Sequence, residues 1–520
     1  MTDTSRPVES RDPATGTVWR QFTAATPADV DAAVARARSA QQGWAVAPVA
    51  VRAERLRRFH DILFRRRNDV AAMLTRENGK PSVEAISTEV TVVLDFAKYY
   101  ADRAPRFLRA SWFNAASLAM KRKRIRVLHE PMGVIGVISP WNYPFMLSAA
   151  IVLPALVTGN AVLLKPSEMT PSTGLLLGEL LHEAGIPSDL FQVIQGDGAT
   201  GAALCGTDVD KVFFTGSEAA GRAVALKCAA RLIPCSLELG GSDAAIVLAD
   251  ADVRHAASGI AFGRFSNGGQ TCVAPKRVFV EGAAYEPFVA ALRTTIGALR
   301  MGPGDDPDTD VGPMIREHAA AALVAQRDDA LSYGATMFSG AGTDREAGWF
   351  VAPTVLLGVD DESRAFTEET FGPLLPVVRV ADVEEAITRA NASEFGLAAS
   401  IWSRDTARAA RLAERLAAGS VTINDVIVTA GMADVPHGGV KNSGVGRTHG
   451  MAGLEECVRT KAIVADRFAS WRQAWWFGYS RTHAKGIDAF VRLAHSPGWW
   501  DRVRSIPAFL RLLLSPSRPI

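Results

Sequence analysis

From residue 133 onwards, short apolar segments rich in β-branched residues alternate with segments that have the apolar spacing of helices. The first strand candidates are GVIGVIS (133–139), AVLLKP (161–166), LFQVIQ (190–195), KVFFTG (211–216) and CSLELGG (235–241). Helical stretches such as GLLLGELLHEAG and SEAAGRAVALKCAA lie between them. This alternation predicts a parallel sheet covered by helices, which is an α/β fold.

A second series of the same kind runs from about residue 244 to 435, with KRVFVEG, APTVLLG, ASIWS and GSVTIND as strand candidates. Residues 27–110 have instead the spacing of amphipathic helices rich in Ala and Arg. A domain typically takes about 100–200 residues. Two α/β units that join near Leu239–Gly241 are therefore the simplest division of the chain.

The composition excludes several classes of function. Lys and Arg number 57 against 55 Asp and Glu, so the net charge of +2 gives no electrostatic basis for binding nucleic acid. The five cysteines lack the paired spacing of metal ligands, and so dilute a count is typical of a reducing cytoplasm. The start MTDTSRPVES lacks the apolar core of a signal peptide, and no run approaches the ~18–20 apolar residues that span a bilayer. We therefore expect a soluble, cytoplasmic protein.

Two glycine-rich turns follow predicted strands and are candidate phosphate-binding sites. GDGATG (196–201) has the spacing G-x-G-x-x-G, which alone is a weak signal. In FFTGSEAAGR (213–222), Gly216 and Ser217 precede a helix whose first backbone N–H groups can receive a phosphate. Each stretch can equally be a tight turn between a strand and a helix.

Cys272 lies in FSNGGQTCVAPKRV, among small and polar residues. A free thiol has a pKa of about 8.5 and reacts as the thiolate, so a nucleophilic cysteine needs a proton acceptor. The nine histidines form no Cys–His pattern. Glu238 in SLELGGSDAAIVL is the candidate acceptor, because a Glu in so apolar a strand is costly unless it is used or paired. The alternative is a buried salt bridge between Glu238 and an Arg.

Two further strand ends carry candidate site residues. Asn142 in ISPWNYPF can donate its side-chain amide to an oxyanion, although Asn is also common in turns. Lys165 and Glu168 in LLKPSEMTP follow the next strand, at the carboxyl end where open α/β sheets bind ligands. A solvated lysine and a carboxylate at a helix start are the alternatives.

Seven motifs together resemble the aldehyde dehydrogenase superfamily. They are PWNYPF, KPSEMTP, FFTGSEAAG, LELGG, GGQTC, EETFGPLLPV and GGVKNSGVGR, spread in that order over roughly residues 8–465. The separation of Glu238 and Cys272 along the chain is also similar to that usual in the family. The resemblance implies NAD(P)-dependent oxidation of an aldehyde to a carboxylic acid.

The resemblance assigns catalytic roles to three residues. Cys272 would attack the aldehyde carbon to give a thiohemiacetal, which becomes a thioester after loss of hydride. Asn142 and the backbone N–H of Cys272 would hold the oxyanion. Glu238 would activate the water that releases the acid.

The resemblance also implies a cofactor site and no metal site. Lys165 and Glu168 would contact the adenosine ribose, and the carboxylate of Glu168 would repel a 2′-phosphate, so we expect NAD rather than NADP. Gly216 and Ser217 would hold the pyrophosphate. The helix with Gly201 would flank the adenine. The complete predicted set is Pro140, Trp141, Lys165, Glu168, Gly201, Gly216, Ser217, Leu239, Glu369 and Phe371, the last two beside the nicotinamide riboside.

The side chains expected at the entrance of the active site, here called the mouth, predict the class of substrate. Succinate-semialdehyde enzymes of the best-known branch have Arg at the positions of Ser266 and Ala150, so a second carboxylate would lack a partner here unless Arg264 supplies it. Met146, Leu147 and Ala150 make the mouth mainly apolar. We expect an apolar aliphatic or aromatic aldehyde, with succinate semialdehyde as the alternative.

Two other functional classes remain as alternatives. A coenzyme-A-acylating relative would pass the thioester to coenzyme A and usually lacks the glutamate base, so Glu238 argues against it. A non-catalytic binding protein is disfavoured because every catalytic position is intact. His437 stands where the branch that handles fatty and aromatic aldehydes usually has Phe, and we expect His437 to be a loop residue.

The resemblance further implies three structural parts and a homodimer or homotetramer. They are a Rossmann-like NAD-binding domain (1–120 and 140–239), a catalytic α/β domain (240–435) and a small β element that joins subunits (121–139 and 450–465). The strand KRKRIRVLHEP belongs to the last of these.

Residues 466–520 are predicted to form a basic amphipathic extension. They hold nine Lys and Arg against three Asp, and the five tryptophans Trp471, Trp475, Trp476, Trp499 and Trp500. One face of the helix WWDRVRSIPAFLRLLL would carry Trp499, Val503, Ile506, Leu510 and Leu513, and Pro507 can kink it. Such a helix can lie at a membrane surface. Packing on its own subunit or on a dimer mate is the alternative.

Overall fold

The computed structural model of the protein describes residues 7–342, 347–468, 473 and 475–514. Trp471, Arg472 and Arg518 of the predicted extension lie outside the described residues. The strands are β1 Pro7–Arg11, β2 Val18–Thr23, β3 Ser111–Asn114, β4 Lys123–Pro131, β5 Val134–Ile138, β6 Ala161–Lys165, β7 Phe191–Val193, β8 Lys211–Thr215, β9 Cys235–Glu238, β10 Asp243–Val247, β11 Pro275–Glu281, β12 Thr336–Ser339, β13 Thr354–Leu357, β14 Leu374–Val380, β15 Phe395–Gly396, β16 Ala398–Trp402, β17 Ser420–Ile423, β18 Val440–Lys441, β19 Gly444–Val445 and β20 Val458–Asp466. The α-helices are α1 Pro27–Val46, α2 Val49–Arg65, α3 Arg67–Asn78, α4 Ser82–Glu84, α5 Thr91–Phe107, α6 Pro144–Val157, α7 Pro171–Glu183, α8 Gly198–Gly206, α9 Glu218–Ala229, α10 Val253–Phe265, α11 Gly282–Gly297, α12 Glu317–Ser332, α13 Arg364–Thr367, α14 Val383–Asn391, α15 Thr406–Ala413, α16 Gly450–Glu455, α17 Arg481–His495 and α18 Trp499–Leu514.

The first large sheet has six strands in the order β19-β9-β8-β5-β6-β7. All neighbours are parallel except β19, which runs antiparallel to β9. The chain enters this sheet at β5, adds β6 and β7 on one side, and then adds β8 and β9 on the other. The loops after β5 and β8 therefore leave the sheet at a topological switch point, where open α/β sheets bind ligands.

The second large sheet has seven strands in the order β12-β13-β14-β11-β10-β16-β17. Only β12 is antiparallel to its neighbour. The inner strands β10 and β11 are buried along their whole length, as expected of parallel strands covered on both faces. The α/β fold predicted from the alternation of strands and helices is confirmed.

Helix α6 is buried along its whole length and directly follows the loop after β5. Its sequence PFMLSAAIVLPALV contains one polar residue, Ser148, whose hydroxyl bonds to the carbonyl of Pro144 at 2.6 Å and to Ser139 Oγ at 2.9 Å. A helix that is apolar all round belongs in a core. This packing fixes the position of the preceding loop, residues 139–143.

The described chain forms two compact units, residues 7–108 with 130–459 and residues 109–129 with 460–514. Strand β5 belongs to the first unit, although it lies in the range 121–139 that we predicted for the subunit-joining element. Its residues VIGVI are all buried and bond in parallel to β6 and β8. The predicted boundary is corrected accordingly, and that element must end before residue 134.

The second unit contains a three-stranded sheet in the order β20-β4-β3 and the helices α17 and α18. The two helices pack against each other at Gly486, where an added Cβ would lie 2.5 Å from Leu512. The rings of Phe490 and Phe509 lie 5.5 Å apart beside this contact. Helix α18 continues through Pro507. Among the described residues, none of the helices is long and apolar enough to cross a membrane.

Candidate active site

Two loops meet at the switch point of the six-stranded sheet. The loop after β5 carries Pro140, Trp141 and Asn142, and the loop after β8 carries Gly216 and Ser217. All five residues line one cavity of about 240 Å³. Two motifs that lie far apart along the chain are therefore brought together by the strand order.

Cys272 lies on a loop with an unusual backbone, just before β11. Residues 267–269 have consecutive positive φ angles of 52°, 61° and 75°. A Cβ added at Gly269 would lie 2.4 Å from the carbonyl carbon of Gly372, so only glycine fits there. The amide of the buried Gln270 donates to the carbonyl of residue 267 at 2.9 Å and closes the turn. The loop is thereby fixed, and Cys272 lies in the wall of the cavity.

The side chain of Asn142 is tied to the same loop. Its Nδ2 donates to the carbonyl of Gln270 at 3.1 Å. Its own backbone carbonyl accepts hydrogen bonds from Lys80 Nζ at 3.0 Å and from Asn267 Nδ2 at 2.8 Å. A side-chain amide has two N–H donors, and the second donor of Asn142 has no partner among the described residues. The geometry thus leaves one donor of a cavity-lining amide available.

Glu238 ends β9 and lies in the wall of the same cavity. It is 7% exposed, and neither carboxylate oxygen has a hydrogen-bond partner among the described residues. The nearest cationic group that affects it, Arg447, donates instead to the carbonyls of Gly439 and Gly446. Burial raises the pKa of the Glu238 carboxyl well above its usual range, and Arg447 opposes this only in part. The alternative of a salt bridge between Glu238 and an Arg is therefore wrong.

The surroundings of Cys272 favour the protonated form of its thiol. Burial raises its pKa to about 12, against the opposing effect of the Lys276 ammonium. Lys276 is itself engaged, since its Nζ donates to the carbonyl of Cys272 at 2.6 Å and to Glu369 Oε1 at 2.9 Å. The same carboxylate oxygen accepts the backbone N–H of Gly241 at 3.1 Å. A base is therefore needed before the sulfur can react.

The structure brings most of the predicted site residues into this one cavity. The rings of Trp141 and Phe371 meet edge to face there, with their centroids 5.5 Å apart. Those of the predicted set that line the cavity are Pro140, Trp141, Asn142, Gly216, Ser217, Glu238, Leu239, Cys272, Glu369 and Phe371.

The other three predicted residues lie outside this cavity. Lys165 ends β6, is 4% exposed, and has its Nζ 3.5 Å from Glu168 Oε2. Glu168 lines a second cavity together with Asp197. Gly201 lies in α8, where an added Cβ would be 3.8 Å from Lys165 Cδ. These three residues therefore lie close to one another at the carboxyl end of β6.

Comparison with known families identifies this arrangement. The model of the family described as "Aldehyde dehydrogenase family" matches residues 1–463. The chain belongs to the aldehyde dehydrogenase family. It is therefore an oxidoreductase that acts on an aldehyde with a nicotinamide cofactor, and the resemblance seen in the seven motifs is confirmed.

The names of individual relatives give different substrates and cofactors. The chain is 39% identical to a "4,4'-diapolycopene aldehyde oxidase" of Methylomonas sp over 92% of this chain and 89% of the relative. It is also 39% identical to a "Succinate-semialdehyde dehydrogenase [NADP(+)]" of Deinococcus radiodurans, over 88% and 95% of the two chains. The solved structure "NAD+ complex structure of aldehyde dehydrogenase from bacillus cereus" aligns with a TM-score of 0.85 at 34% identity. The alignment covers 89% of this chain and 93% of that chain.

One face of α6 lines the cavity of this aldehyde dehydrogenase. Leu147, Ala150 and Ile151 lie at helical spacing and face the cavity. Met146, which we placed at the mouth, is buried without lining the cavity, since its position on the helix directs it elsewhere. The mouth prediction is thus correct for Leu147 and Ala150 and wrong for Met146.

Arg264 does not supply a cation to the cavity. It is fully buried, and its Nη2 donates to the carbonyl of Thr370 at 2.9 Å, to Thr370 Oγ1 at 3.0 Å and to the carbonyl of Gly372. Among the described residues that line the cavity, none is Lys or Arg. An anionic substrate tail would therefore meet no cationic side chain in this wall.

His437 and His449 also line the cavity, which sequence reasoning missed. We expected His437 to be a loop residue, yet it is 3% exposed, and His449 is 1% exposed. Both lie in the segment between β17 and α16, whose course depends on tertiary packing. The one available signal was His437 at a position where a related branch has Phe.

The remaining cysteines lie outside the cavity. Cys205, Cys228 and Cys457 are buried, and Cys235 is half-buried at the start of β9. Cys228 therefore has the usual role of a free cysteine, that of a small core residue.

Proposed function

We propose that this aldehyde dehydrogenase oxidises an apolar aldehyde with NAD, using Cys272 as nucleophile, Asn142 as oxyanion donor and Glu238 as general base. One observation carries the proposal: a buried carboxylate that has no hydrogen-bond partner in the described part of the chain shares a small cavity with a thiol. A buried carboxyl whose pKa is raised is a better proton acceptor than an ordinary one.

Each step can be written with the chain's own groups. The Cys272 thiol loses its proton to Glu238, directly or through a water, and the sulfur adds to the carbonyl carbon. The oxyanion accepts hydrogen bonds from Asn142 Nδ2 and from the backbone N–H of Cys272. A bound nicotinamide supplies the acceptor for the hydride that this carbon loses.

The resulting thioester is then hydrolysed. Glu238 first passes the proton that it took from the thiol to solvent, and its carboxylate then takes a proton from water, whose oxygen adds to the thioester carbon. The tetrahedral intermediate collapses, the carbon–sulfur bond breaks, and Cys272 recovers a proton as the acid leaves. One carboxylate thus acts as base for both half-reactions, as its position in the shared cavity permits.

The residues present fit a dinucleotide. Ser217 precedes α9 without capping it through its side chain, so the first N–H groups of this helix are open to a phosphate. Trp141 and Phe371 offer apolar walls, and Glu369 is held by Lys276. We propose the six-stranded sheet as the core of the cofactor domain and the seven-stranded sheet as the core of the catalytic domain.

NAD is favoured over NADP by the carboxylate of Glu168 at the predicted ribose site. The Glu168 side chain is 41% exposed beside Lys165, and Asp197 lines the same cavity. Carboxylates accept hydrogen bonds from a ribose hydroxyl and repel a 2′-phosphate. Initial rates at saturating aldehyde, with each cofactor varied, test this proposal.

The side chains that line the cavity favour an apolar aldehyde over succinate semialdehyde. Leu147, Ala150 and Ile151 face the cavity, and no Lys or Arg lines it among the described residues. The Methylomonas relative, named for an aldehyde of 4,4'-diapolycopene, is consistent with this choice.

A panel of aldehydes graded by chain length, charge and aromaticity, scored by NADH formation, tests the function. We expect apolar members to be oxidised and the Cys272→Ala variant to be inactive while it still binds NAD. A faster rate with succinate semialdehyde contradicts the substrate proposal. Turnover that requires coenzyme A supports the acylating alternative, and NAD binding without turnover of any aldehyde supports the binding protein.

We further propose that β20 joins copies of the chain in a homodimer or homotetramer. It is an edge strand of the three-stranded sheet, and its residues from Arg459 to Ala465 are exposed. An exposed edge strand is a template for pairing with another chain. Sedimentation of Ile463→Pro against the unaltered enzyme tests this, and an unchanged assembly contradicts it.

We also propose that α17 and α18 bind an anionic membrane surface. The helices pack against each other at Gly486 and Leu512, while Trp499 and Trp500 are 61% and 59% exposed. Residues 475–514 carry six Lys and Arg against two Asp. Aromatic residues together with basic charge are the features of interfacial helices.

Flotation with vesicles tests this proposal. We expect the enzyme to bind vesicles that contain phosphatidylserine and not pure phosphatidylcholine vesicles, and Trp499→Ser with Trp500→Ser to weaken this binding. Failure of the unaltered enzyme to bind anionic vesicles contradicts the proposal that these helices bind a membrane. A change of assembly size in the double variant would instead assign the face to a second copy of the chain.

A further inference from the structure

Three neighbouring polar residues form a patch in the wall of the catalytic cavity. His437, Thr448 and His449, here called the histidine patch, all line the cavity with Leu147 and Ile151. They are 3%, 4% and 1% exposed. The mechanism proposed above uses none of them.

The histidine patch is held firmly by its own hydrogen bonds. The backbone N–H of His437 donates to the carbonyl of Thr448 at 2.8 Å, and the N–H of Thr448 returns a bond of 2.8 Å to His437. His449 Nδ1 lies 2.8 Å from Thr448 Oγ1. The two imidazole rings meet edge to face at 5.1 Å, and Phe96 packs edge-on against His449 at 4.7 Å. These side chains are therefore positioned before any ligand arrives.

The imidazole of His437 lacks hydrogen bonds. Neither of its ring nitrogens has a partner among the described residues, and Nδ1 is completely buried. Buried polar groups in folded proteins almost always have a partner, which can be protein, water or ligand. A firmly held, unpartnered imidazole in the wall of a substrate cavity is thus ready to bond a substrate.

The surroundings of both imidazoles favour their uncharged forms. Burial, and then Arg447, lowers the pKa of His437 to about 4. Burial, and then the neighbouring His437, lowers the pKa of His449 well below its usual range. A neutral imidazole offers one donor and one acceptor, which matches a hydroxyl or a carbonyl. It offers no charge to a carboxylate or an ammonium group.

We infer that the histidine patch recognises an uncharged hydroxyl or carbonyl group carried by an otherwise apolar aldehyde. This inference rests on the proposed function and narrows its substrate class. A site built to hydrogen-bond such a group discriminates against the analogue that lacks it, because the buried polar atoms are then left unpaired. The apolar α6 face contacts the rest of the substrate.

Matched pairs of aldehydes test the inference. Each pair has the same shape, and only one member carries a hydroxyl: 4-(hydroxymethyl)benzaldehyde against 4-ethylbenzaldehyde, and ω-hydroxyalkanals against alkanals with the same number of heavy atoms. For at least one pair we expect kcat/KM to favour the hydroxylated member by roughly tenfold or more, the range in which a buried polar site discriminates.

Variants of His437 separate recognition from folding. We expect His437→Phe to abolish the preference by lowering kcat/KM for the hydroxylated member, with the alkyl member unaffected or improved. His437→Gln, which keeps a donor and an acceptor, should retain part of the preference. His60→Phe, a surface change on α2, serves as the control and should leave the preference unchanged.

Two results overturn the inference while leaving the proposed function intact. One is that the unaltered enzyme oxidises both members of every pair equally well. The other is that the preference persists in His437→Phe. Failure of the unaltered enzyme to oxidise any of these aldehydes with NAD or NADP contradicts the proposed function itself, so the two failures are distinguishable.

Discussion

Asn142 Nδ2 donates to the backbone carbonyl of Gln270 at 3.1 Å and so joins the loop after β5 to the loop that presents Cys272. The two loops come from different sheets of the α/β fold. This bond fixes the candidate oxyanion donor relative to the candidate nucleophile. Lys80 and Asn267 hold the Asn142 backbone from the other side.

Replacement of Asn142 by Ala should lower kcat strongly and change the free energy of unfolding only slightly. Loss of an oxyanion donor of this type costs about 10²–10³-fold in kcat. The measurement is steady-state NADH formation, with thermal unfolding as the control for the lost bond to Gln270. A kcat within a few-fold of the unaltered enzyme would remove Asn142 from the oxyanion site.

The pH profile of the enzyme should report the buried Glu238. A general base acts only when it is ionised, so the rate falls as the pH decreases through the pKa of the base. Burial raises this pKa, and the acidic limb should therefore lie at a higher pH than for an ordinary glutamate. In Glu238→Gln we expect the rate to fall by about 10²–10⁴-fold and this limb to disappear. An acidic limb unchanged in the variant assigns the limb to another group.

The choice between NAD and NADP should depend on Glu168. Glu168→Gln removes a negative charge and so lessens the repulsion of a 2′-phosphate. We therefore expect kcat/KM for NADP, divided by kcat/KM for NAD, to rise on the order of tenfold. Glu317→Gln, which changes another acidic residue of the same cavity, is the matched control. A tighter apparent affinity for NADP in the unaltered enzyme would contradict the cofactor proposal.

The glycine at position 269 should be required for stability. Its φ of +75° and the 2.4 Å approach of an added Cβ to Gly372 make alanine costly, by about 1–3 kcal/mol in the free energy of unfolding. Gly43→Ala in helix α1, where an added Cβ meets open space, should instead stabilise by about 0.5–1 kcal/mol. Denaturant unfolding of both variants checks the contrast. Equal effects would show that the loop accommodates a side chain.

The sequence predicts the fold well because strand and helix periodicity are local. The segments that become β5, β6, β8 and β9 are visible as β-branched runs, and the motifs at their carboxyl ends identify most of the cavity wall. The boundary at residue 139 is corrected because β5 pairs with β6 and β8 of the six-stranded sheet, which agrees with the alternation of strands and helices in the sequence.

The residues of the cavity wall that the sequence did not predict are those whose positions depend on tertiary contacts. His437 and His449 line the cavity through the paired backbone of His437 and Thr448, which no local pattern indicates. Ile151 faces the cavity and Met146 does not, because the loop before α6 sets the rotation of that helix. Arg264 is near Cys272 in the chain, but its guanidinium bonds Thr370 in the interior.

The central claim is that Cys272 carries the acyl group and that Glu238 is needed to release it. Intact mass and peptide mapping of Glu238→Gln, after mixing with NAD and an apolar aldehyde, test it most directly. We predict an adduct with the mass of the acyl group on the peptide that contains Cys272, with one NADH formed per adduct, and no adduct in Cys272→Ala. The adduct forms slowly because the variant lacks the base for the thiol, and it persists because the variant also lacks the base for hydrolysis. NADH formed without such an adduct, or an adduct on another residue, would contradict the account.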